Sequence, residues 1–291
     1  MYTIITDSCS DLLPAYHKDY EDFLVLPLEF TLDGNTYENV PDCEISSKQF
    51  YDKLRSGSMS TTSQISPERF IEVFRRLLSE GREALYIAFS SGLSGTYNSA
   101  RIARDTVLEE FPDGKLFVVD SLAASAGQGL LCYHALENRK NGMSLEENAA
   151  WVEQNRLHLV HWFTVDDLHF LKRGGRCSPA AAFFGTLVNI KPVLHVDDEG
   201  HLIAREKVRG RKSALKALVD HMEKLAVRPA EQTVFISHGD CMEDAKFVAA
   251  QITSRLGTPA ESIHISDIGP VIGSHSGPGT VALFFLGTDR G

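Results

Sequence analysis

An apolar run from Ala84 to Ala88 passes straight into Phe89-Ser90-Ser91-Gly92-Leu93-Ser94-Gly95-Thr96, and a helix-like stretch begins near Thr96. A strand, a loop rich in Gly and Ser, then a helix is the junction at which α/β proteins place a ligand. The loop carries hydroxyls and backbone N–H groups, and the helix that follows presents a positive N-terminus, a combination suited to an anion. Which anion it is, and whether chemistry follows, is decided by the rest of the chain.

The first half repeats the pattern. Thr3 to Thr6 reads as a buried strand ending in Asp7-Ser8-Cys9-Ser10, and Leu116 to Val119 as another, ending in Asp120-Ser121. Ser66-Pro67-Glu68 opens a helix with Ser as N-cap and Pro at the first helical position, and Phe70, Ile71, Phe74, Leu77 and Leu78 form its apolar stripe. Helices are also expected over 96–110, from about Ala123 to Lys140, and after the capping box Ser144/Glu147. This order predicts a parallel sheet with helices on both faces. Val25 to Leu32 and Thr36 to Val40, around Asp33-Gly34-Asn35, read as a hairpin.

The second half reads differently. A second hairpin signal, Asp197-Asp198-Glu199-Gly200, lies between Lys191–Val196 and His201–Val208. Strands over His158–Thr164, Val234–Ser237, Ser262–Asp267 and Thr280–Leu286 surround a helix over Lys212–Ala226, which predicts a mixed sheet. A chain of 291 residues accommodates two cores. The expected division is a domain of residues 1–158 and one of 159–291, with the ligand between them.

Composition excludes several classes. The net charge of -10 argues against bulk attraction to nucleic acid or anionic lipid. The five cysteines are scattered with no CxxC, which argues against a disulfide scaffold or structural zinc and for reduced thiols. His238-Gly239-Asp240 has metal-capable residue types but no partner at ligand spacing, so no metal is expected. No Walker motif or strand-linked GxGxxG points to a nucleotide. With no signal core and no apolar run of the roughly 20 residues a span needs, the expectation is a soluble, cytoplasmic protein.

Thr62, in the polar stretch Thr61-Thr62-Ser63-Gln64, and Ser94 both lie at expected strand ends, where they can converge on one carboxylate or phosphate with backbone N–H groups from Gly92 to Gly95. For any one of these residues helix capping is an equally good account. Ser94 as a nucleophile meets an incomplete elbow, because Thr96 stands where the motif requires Gly. A serine-dependent hydrolase or acyltransferase using Ser94 is the alternative reading. Ile268 to Gly279 holds four Gly and two Pro around His275, and a histidine in such a loop points to a ligand. Lys172, Arg173 and Arg176, with Arg205, Lys207, Arg209, Arg211 and Lys212, gather positive charge that is either solvated surface or a phosphate or docking patch.

Taken together, Thr6-Asp7-Ser8, Thr62-Ser63-Gln64, Ser91-Gly92-Leu93-Ser94-Gly95-Thr96, Leu171-Lys172-Arg173-Gly174-Gly175-Arg176, Lys191-Pro192 and Ile268-Gly269-Pro270-Val271-Ile272-Gly273 with His275 resemble, in order and spacing, the DegV family of bacterial fatty-acid-binding proteins along the whole chain. Ile65 follows Thr-Ser-Gln where many members have Pro or Ser. The resemblance implies a two-domain DegV-like α/β fold with one long-chain fatty acid buried between the domains. It implies that Thr62, Ser94 and Gly95 bind the carboxylate with support from His275, and that no cofactor is needed beyond the bound acid. It further implies a non-catalytic, FakB-like carrier, feeding phospholipid metabolism, that presents the acid to a separate ATP-dependent fatty acid kinase for acyl phosphate formation. Arg173 and Arg209 would then face the phosphoryl group or the kinase. A different anionic amphiphile, such as a lysophospholipid or isoprenoid acid, fits the same residues. The apolar stretch from Ala180 to Val188 reads either as core or as tunnel lining.

Overall fold

The structure is a computed structural model that describes residues 2–13, 16, 20, 22–177 and 189–291. The stretch from Ala180 to Val188 therefore lies outside the described residues.

In chain order the first half runs β1 (Thr3–Asp7), β2 (Phe23–Leu26), β3 (Glu29–Leu32), β4 (Asn35–Glu38), α1 (Ser47–Arg55), β5 (Ser60–Ser63), α2 (Pro67–Ser79), β6 (Ala84–Ala88), α3 (Thr96–Glu110), β7 (Leu116–Asp120), α4 (Ala126–Lys140) and α5 (Leu145–Asn155). The second half runs β8 (Leu159–Thr164), α6 (His169–Arg173), β9 (Ile190–Val196), β10 (Leu202–Arg209), α7 (Arg211–Leu225), β11 (Val234–His238), α8 (Met242–Leu256), β12 (Ile263–Asp267), α9 (Pro270–Ser276) and β13 (Val281–Leu286).

Strands β2-β1-β6-β7 form the expected parallel sheet. Its strands are apolar on both faces, and alternate side chains feed different cores. Ile5, Tyr86 and Val118 meet Phe70 and Phe74 of α2 and Ala100 and Val107 of α3. Ile4, Leu85, Ile87 and Val119 meet Leu130, Leu131 and Ala135 of α4 and Val152 of α5. The caps are as read: Ser66 Oγ accepts from the Arg69 amide with Pro67 behind it, and Ser144 and Glu147 close a capping box.

Three local expectations are corrected. The single strand expected over 25–32 is two, because Pro27 has no N–H to continue a ladder. Phe23–Leu26 joins the parallel sheet, whereas Glu29–Leu32 turns into a small antiparallel sheet of order β4-β3-β5. The stretch around Thr62 is the edge strand β5 of that small sheet, paired Thr62 to Phe30, and not a loop at the end of a parallel strand. Its Ser and Thr residues give no apolar signal, but Thr is β-branched and suits a strand. His275 sits in the short helix α9, with Gly269 as N-cap and Pro270 at the first turn. The glycines and prolines around it bound a helix rather than shape a loop.

The second half forms a mixed six-stranded sheet, β10-β9-β8-β13-β11-β12, parallel only between β11 and β12. Helices α7 and α8 cover one face over Val160, Trp162, Leu283 and Phe285. On the other face lies α4, which touches β1 and β6 of the first sheet and β8, β11 and β13 of the second. Helix α4 is thus sandwiched between sheets, and both halves share one core through it. Near the end of the chain the buried Arg290 donates to the carbonyls of Leu122, Arg156 and Asp197 at 2.7, 2.5 and 2.7 Å. Among the described residues no helix is long and apolar enough to cross a membrane, and no group of three metal-ligating side chains gathers.

Candidate ligand-binding site

The loop after β6 is fixed by carboxylates at neighbouring strand ends. Asp7, fully buried, accepts from the Phe89 amide at 3.0 Å, Tyr86 Oη at 2.7 Å, the Cys9 amide at 3.1 Å and Gln128 Nε2 at 3.1 Å. Asp120 Oδ1 accepts from the Ser91 and Leu122 amides, both at 3.1 Å. Ser90 Oγ donates 2.9 Å to the Gly200 carbonyl, which pins the loop to the β9–β10 hairpin. Inside the loop the Gly92 amide goes to Ser90 Oγ, and those of Leu93 and Ser94 to the Ser90 carbonyl. Those three amides are spent locally, which corrects the expectation that they serve the anion. The Gly95 amide lies outside these three bonds.

A second group of contacts brings the C-terminal helix α9 onto the N-terminal half. Ser274 Oγ donates 2.7 Å to Ser60 Oγ on β5, and Tyr51 Oη donates 2.9 Å to the Ile268 carbonyl. This docking sets His275 Nε2 at 2.8 Å from Thr62 Oγ1. The imidazole lies so close to Gly174 that a Cβ there would collide with Nδ1, and only Gly leaves that room. Burial, helped by the Arg176 and Arg173 guanidinium groups, pushes His275 down to about 4, so the ring is neutral at neutral pH.

These elements enclose a cavity of about 430 Å³, within the range of small-molecule sites. Thr62, Ser94, Gly95 and His275 all line it. Elsewhere much of its wall is apolar: Leu28, Phe89, Leu93 and Ala124 come from the first half, and Phe163, Val196, Leu202, Val271, Ala282 and Phe284 from the second. Ser94 Oγ pairs with Thr96 Oγ1 at 3.0 Å and also accepts from the Thr96 amide at 3.3 Å, so it serves its own helix while lining the cavity. Among the described residues no histidine is hydrogen-bonded to Ser94; His275 is taken up by Thr62.

The basic residues separate. Arg176 lines the cavity, anchored by Nε to the Leu93 carbonyl at 3.1 Å and by a terminal nitrogen to the Gly174 carbonyl at 2.5 Å. Arg173 is exposed, its guanidinium 5.0 Å over the Phe170 ring in an outer groove shared with Arg55, Asp166 and Asp167. Arg209 is exposed at the end of β10, opposite Ile190, and is not part of the cavity lining.

Sequence reasoning placed Arg176 only within a basic patch, not in the cavity, and gave no role to Ser276, whose buried hydroxyl has no partner among the described residues and lies beside His275. It also passed over Ser125, which lines the cavity and joins Asp11 Oδ2 at 2.5 Å to Ser237 Oγ at 2.8 Å. The other Asp11 oxygen accepts the Gly269 amide at 2.9 Å, at the start of α9. Burial pushes the Asp11 carboxyl up to about 7 against those hydrogen bonds. One signal was available: Asp11 closes the polar run Asp7-Ser8-Cys9-Ser10-Asp11 after the first strand.

A family model described as "Uncharacterised protein, DegV family" matches residues 1–288. A DegV domain-containing protein of Clostridium perfringens is 48% identical over 289 residues, covering 99% of this chain and 98% of that protein. A Thermus thermophilus structure described as fatty acid binding of a DegV family protein is 35% identical with a TM-score of 0.85, covering 98% of this chain and 99% of that one. A stearic acid-binding protein of Eubacterium ventriosum is 26% identical with a TM-score of 0.83, covering 99% and 98%. The chain belongs to the DegV family.

Proposed function

We propose that this protein binds one long-chain fatty acid between an N-terminal domain, residues 1–158, and a C-terminal domain, residues 159–291. The observation that carries the reading is a cavity of about 430 Å³ with Thr62, Ser94, Arg176 and His275 among its polar lining and a wall otherwise rich in apolar side chains. Such a division suits an amphiphile with one charged end. Each buried methylene contributes about 0.8 kcal/mol, so a long chain is held without covalent chemistry. Solved relatives described as fatty-acid-binding support the same ligand class.

The head group's donors follow from protonation. A neutral His275 with its proton on Nε2 donates to Thr62 Oγ1, and the Thr62 hydroxyl then donates to the carboxylate. Ser94 supplies a second hydroxyl, the Gly95 amide a third donor, and Arg176 a compensating charge. Among the described residues no base is paired with Ser94, whose hydroxyl is engaged with Thr96, which favours a binding role over an activated nucleophile. The reading is therefore a cytoplasmic carrier that presents its acid to a separate ATP-dependent kinase. Arg173 and Arg209, both exposed, are the candidate contacts to that kinase or to the phosphoryl group. Native mass spectrometry of the purified protein tests the reading. A complex heavier than the chain by one fatty acid is expected; a delipidated protein that takes up no fatty acid contradicts it.

A further inference from the structure

A second serine in the cavity wall has the spacing that Ser94 lacks. Ala123-Ala124-Ser125-Ala126-Gly127 leads from β7 into α4, with Gly two residues after the serine, the place at which Thr96 breaks the elbow around Ser94. Ser125 has φ 53 and ψ -147, close to a backbone region populated essentially by glycine. Helix capping does not explain it. Ser66 and Ser144 cap their helices from extended backbone, whereas the Ser125 hydroxyl makes no capping bond. Gly127 is required for close packing, since a Cβ there would strike His161 and Phe284 of the second sheet. A strained serine on a sharp turn into a helix, with glycine two residues on, has the build of a nucleophile elbow.

Ser125 is also paired with a base. It lines the cavity and keeps 5% of its surface accessible, and its hydroxyl donates to Asp11 Oδ2 at 2.5 Å. With its one proton given to Asp11, Ser125 Oγ accepts from Ser237 Oγ at 2.8 Å. The Gly269 amide holds the other Asp11 oxygen at 2.9 Å, which fixes the carboxylate in place. Burial pushes Asp11 up to about 7, a suitable value for a base at neutral pH. The Asp267 and Asp7 carboxylates push the same way, and the bonds from Ser125 and Gly269 oppose it. The Cys9 thiol and Tyr51 hydroxyl, which also face Asp11, are held protonated by burial. Ala126, next after Ser125, opens the 15-residue helix α4, whose leading N–H groups have no acceptor within the helix. In an elbow the amide after the nucleophile stabilises the oxyanion.

The position along the cavity suits an ester carbonyl. Ser237 pairs with Ala282, which lines the cavity. Thr280 lies two residues, or about 7 Å of extended chain, before Ala282 and is bonded to the end of the helix that carries His275. An acyl ester with its alcohol part beside Thr62, Ser94 and His275 therefore brings its carbonyl to Ser125, and its chain runs on towards Phe163 and Phe284.

We infer that Ser125 and Asp11 form a nucleophile and base that hydrolyse long-chain acyl esters in the cavity, releasing a fatty acid where it is carried. This rests on the fatty-acid reading above. Ser125 Oγ attacks the ester carbonyl carbon as its proton passes to Asp11. The tetrahedral intermediate collapses, the bond to the alcohol breaks, and the alcohol leaves with the proton from Asp11. Water then attacks the acyl-serine and gives a proton to Asp11; the bond to Ser125 breaks, and Ser125 takes that proton back.

The test follows hydrolysis of p-nitrophenyl decanoate by delipidated wild type, Ser125→Ala and Asp11→Asn, with stearic acid binding measured on the wild type. Each substitution is expected to slow hydrolysis about 100-fold or more, and the wild-type rate to rise as pH passes through about 7. A wild type that binds stearic acid yet hydrolyses the ester no faster than Ser125→Ala overturns the inference and leaves the fatty-acid reading standing. A wild type that neither binds the acid nor cleaves the ester overturns both. Should Ser125→Ala not fold, peptide mapping of wild type treated with a long-chain fluorophosphonate decides. The label is expected on Ser125, and its absence from Ser125 overturns the inference.

Discussion

At the scale of single residues the account rests on three side chains that meet around one cavity from distant parts of the chain: Thr62, Ser94 and His275. If these hydroxyls hold the proposed fatty-acid carboxylate, removing either leaves it one donor short. Thr62→Ala and Ser94→Ala are each expected to weaken fatty-acid binding by about 1–3 kcal/mol in a competition titration, with little change in stability. Unchanged affinity in both variants places the head group elsewhere. These residues stood out because hydroxyls at strand and helix ends, and a histidine among glycines, are unusual in a sequence. Arg176 did not, because nothing in Lys172-Arg173-Gly174-Gly175-Arg176 says which arginine turns inward. The end of α6 at Arg173 and the turn at Gly174-Gly175 decide it, leaving Arg173 on Phe170 and Arg176 on the Leu93 carbonyl.

At the scale of elements the decisive piece is α9, which belongs to the C-terminal half by sequence but docks on β5 and α1 of the first half. Its start is held by Asp11, whose other oxygen holds Ser125 at the start of α4. Because the folded carboxyl sits at about 7 and an unfolded one near 3.8, the folded state binds more protons between those values. Stability owed to the protonated form is thus lost as pH rises from about 4 to about 7, and stays lost above. His275, pushed down to about 4, works in the opposite sense and loses stability as pH falls from 6.5 towards 4. Comparing wild type with Asp11→Asn isolates the first effect, since the histidine contribution cancels. In denaturant unfolding at a series of pH values, the stability of wild type relative to the variant is expected to decline from pH 4 to pH 7. A difference independent of pH contradicts the assignment. Helices α2 and α5 were legible from their caps, and α3 from its place after the Gly- and Ser-rich loop; β5 was not, because four Ser and Thr residues carry no hydrophobic period, and its pairing with β3 is a tertiary matter.

At the scale of the whole molecule the two sheets, one parallel and one mixed, are joined through α4 and clasped by Arg290, and the cavity opens where their loops and faces meet. The parallel first sheet followed from the strand–loop–helix order, and the mixed second sheet from its hairpins. The way α4 lies between the sheets was not readable: Gly127, Gln128 and Gly129 interrupt its apolar pattern, and only the structure shows that they permit close approach and a buried hydrogen-bond node at Thr6 and Asp7. The central claim is that a fatty-acid carboxylate sits where Thr62, Ser94, Arg176 and His275 gather. Carbon NMR of carboxyl-labelled stearic acid bound to the delipidated protein tests it most directly. The account predicts one bound resonance at equimolar acid, staying ionised to lower pH than the free acid because donors and a guanidinium favour the charged form, and displaced in Thr62→Ala and Ser94→Ala. A bound resonance that neither substitution moves, or no bound resonance at all, would contradict it.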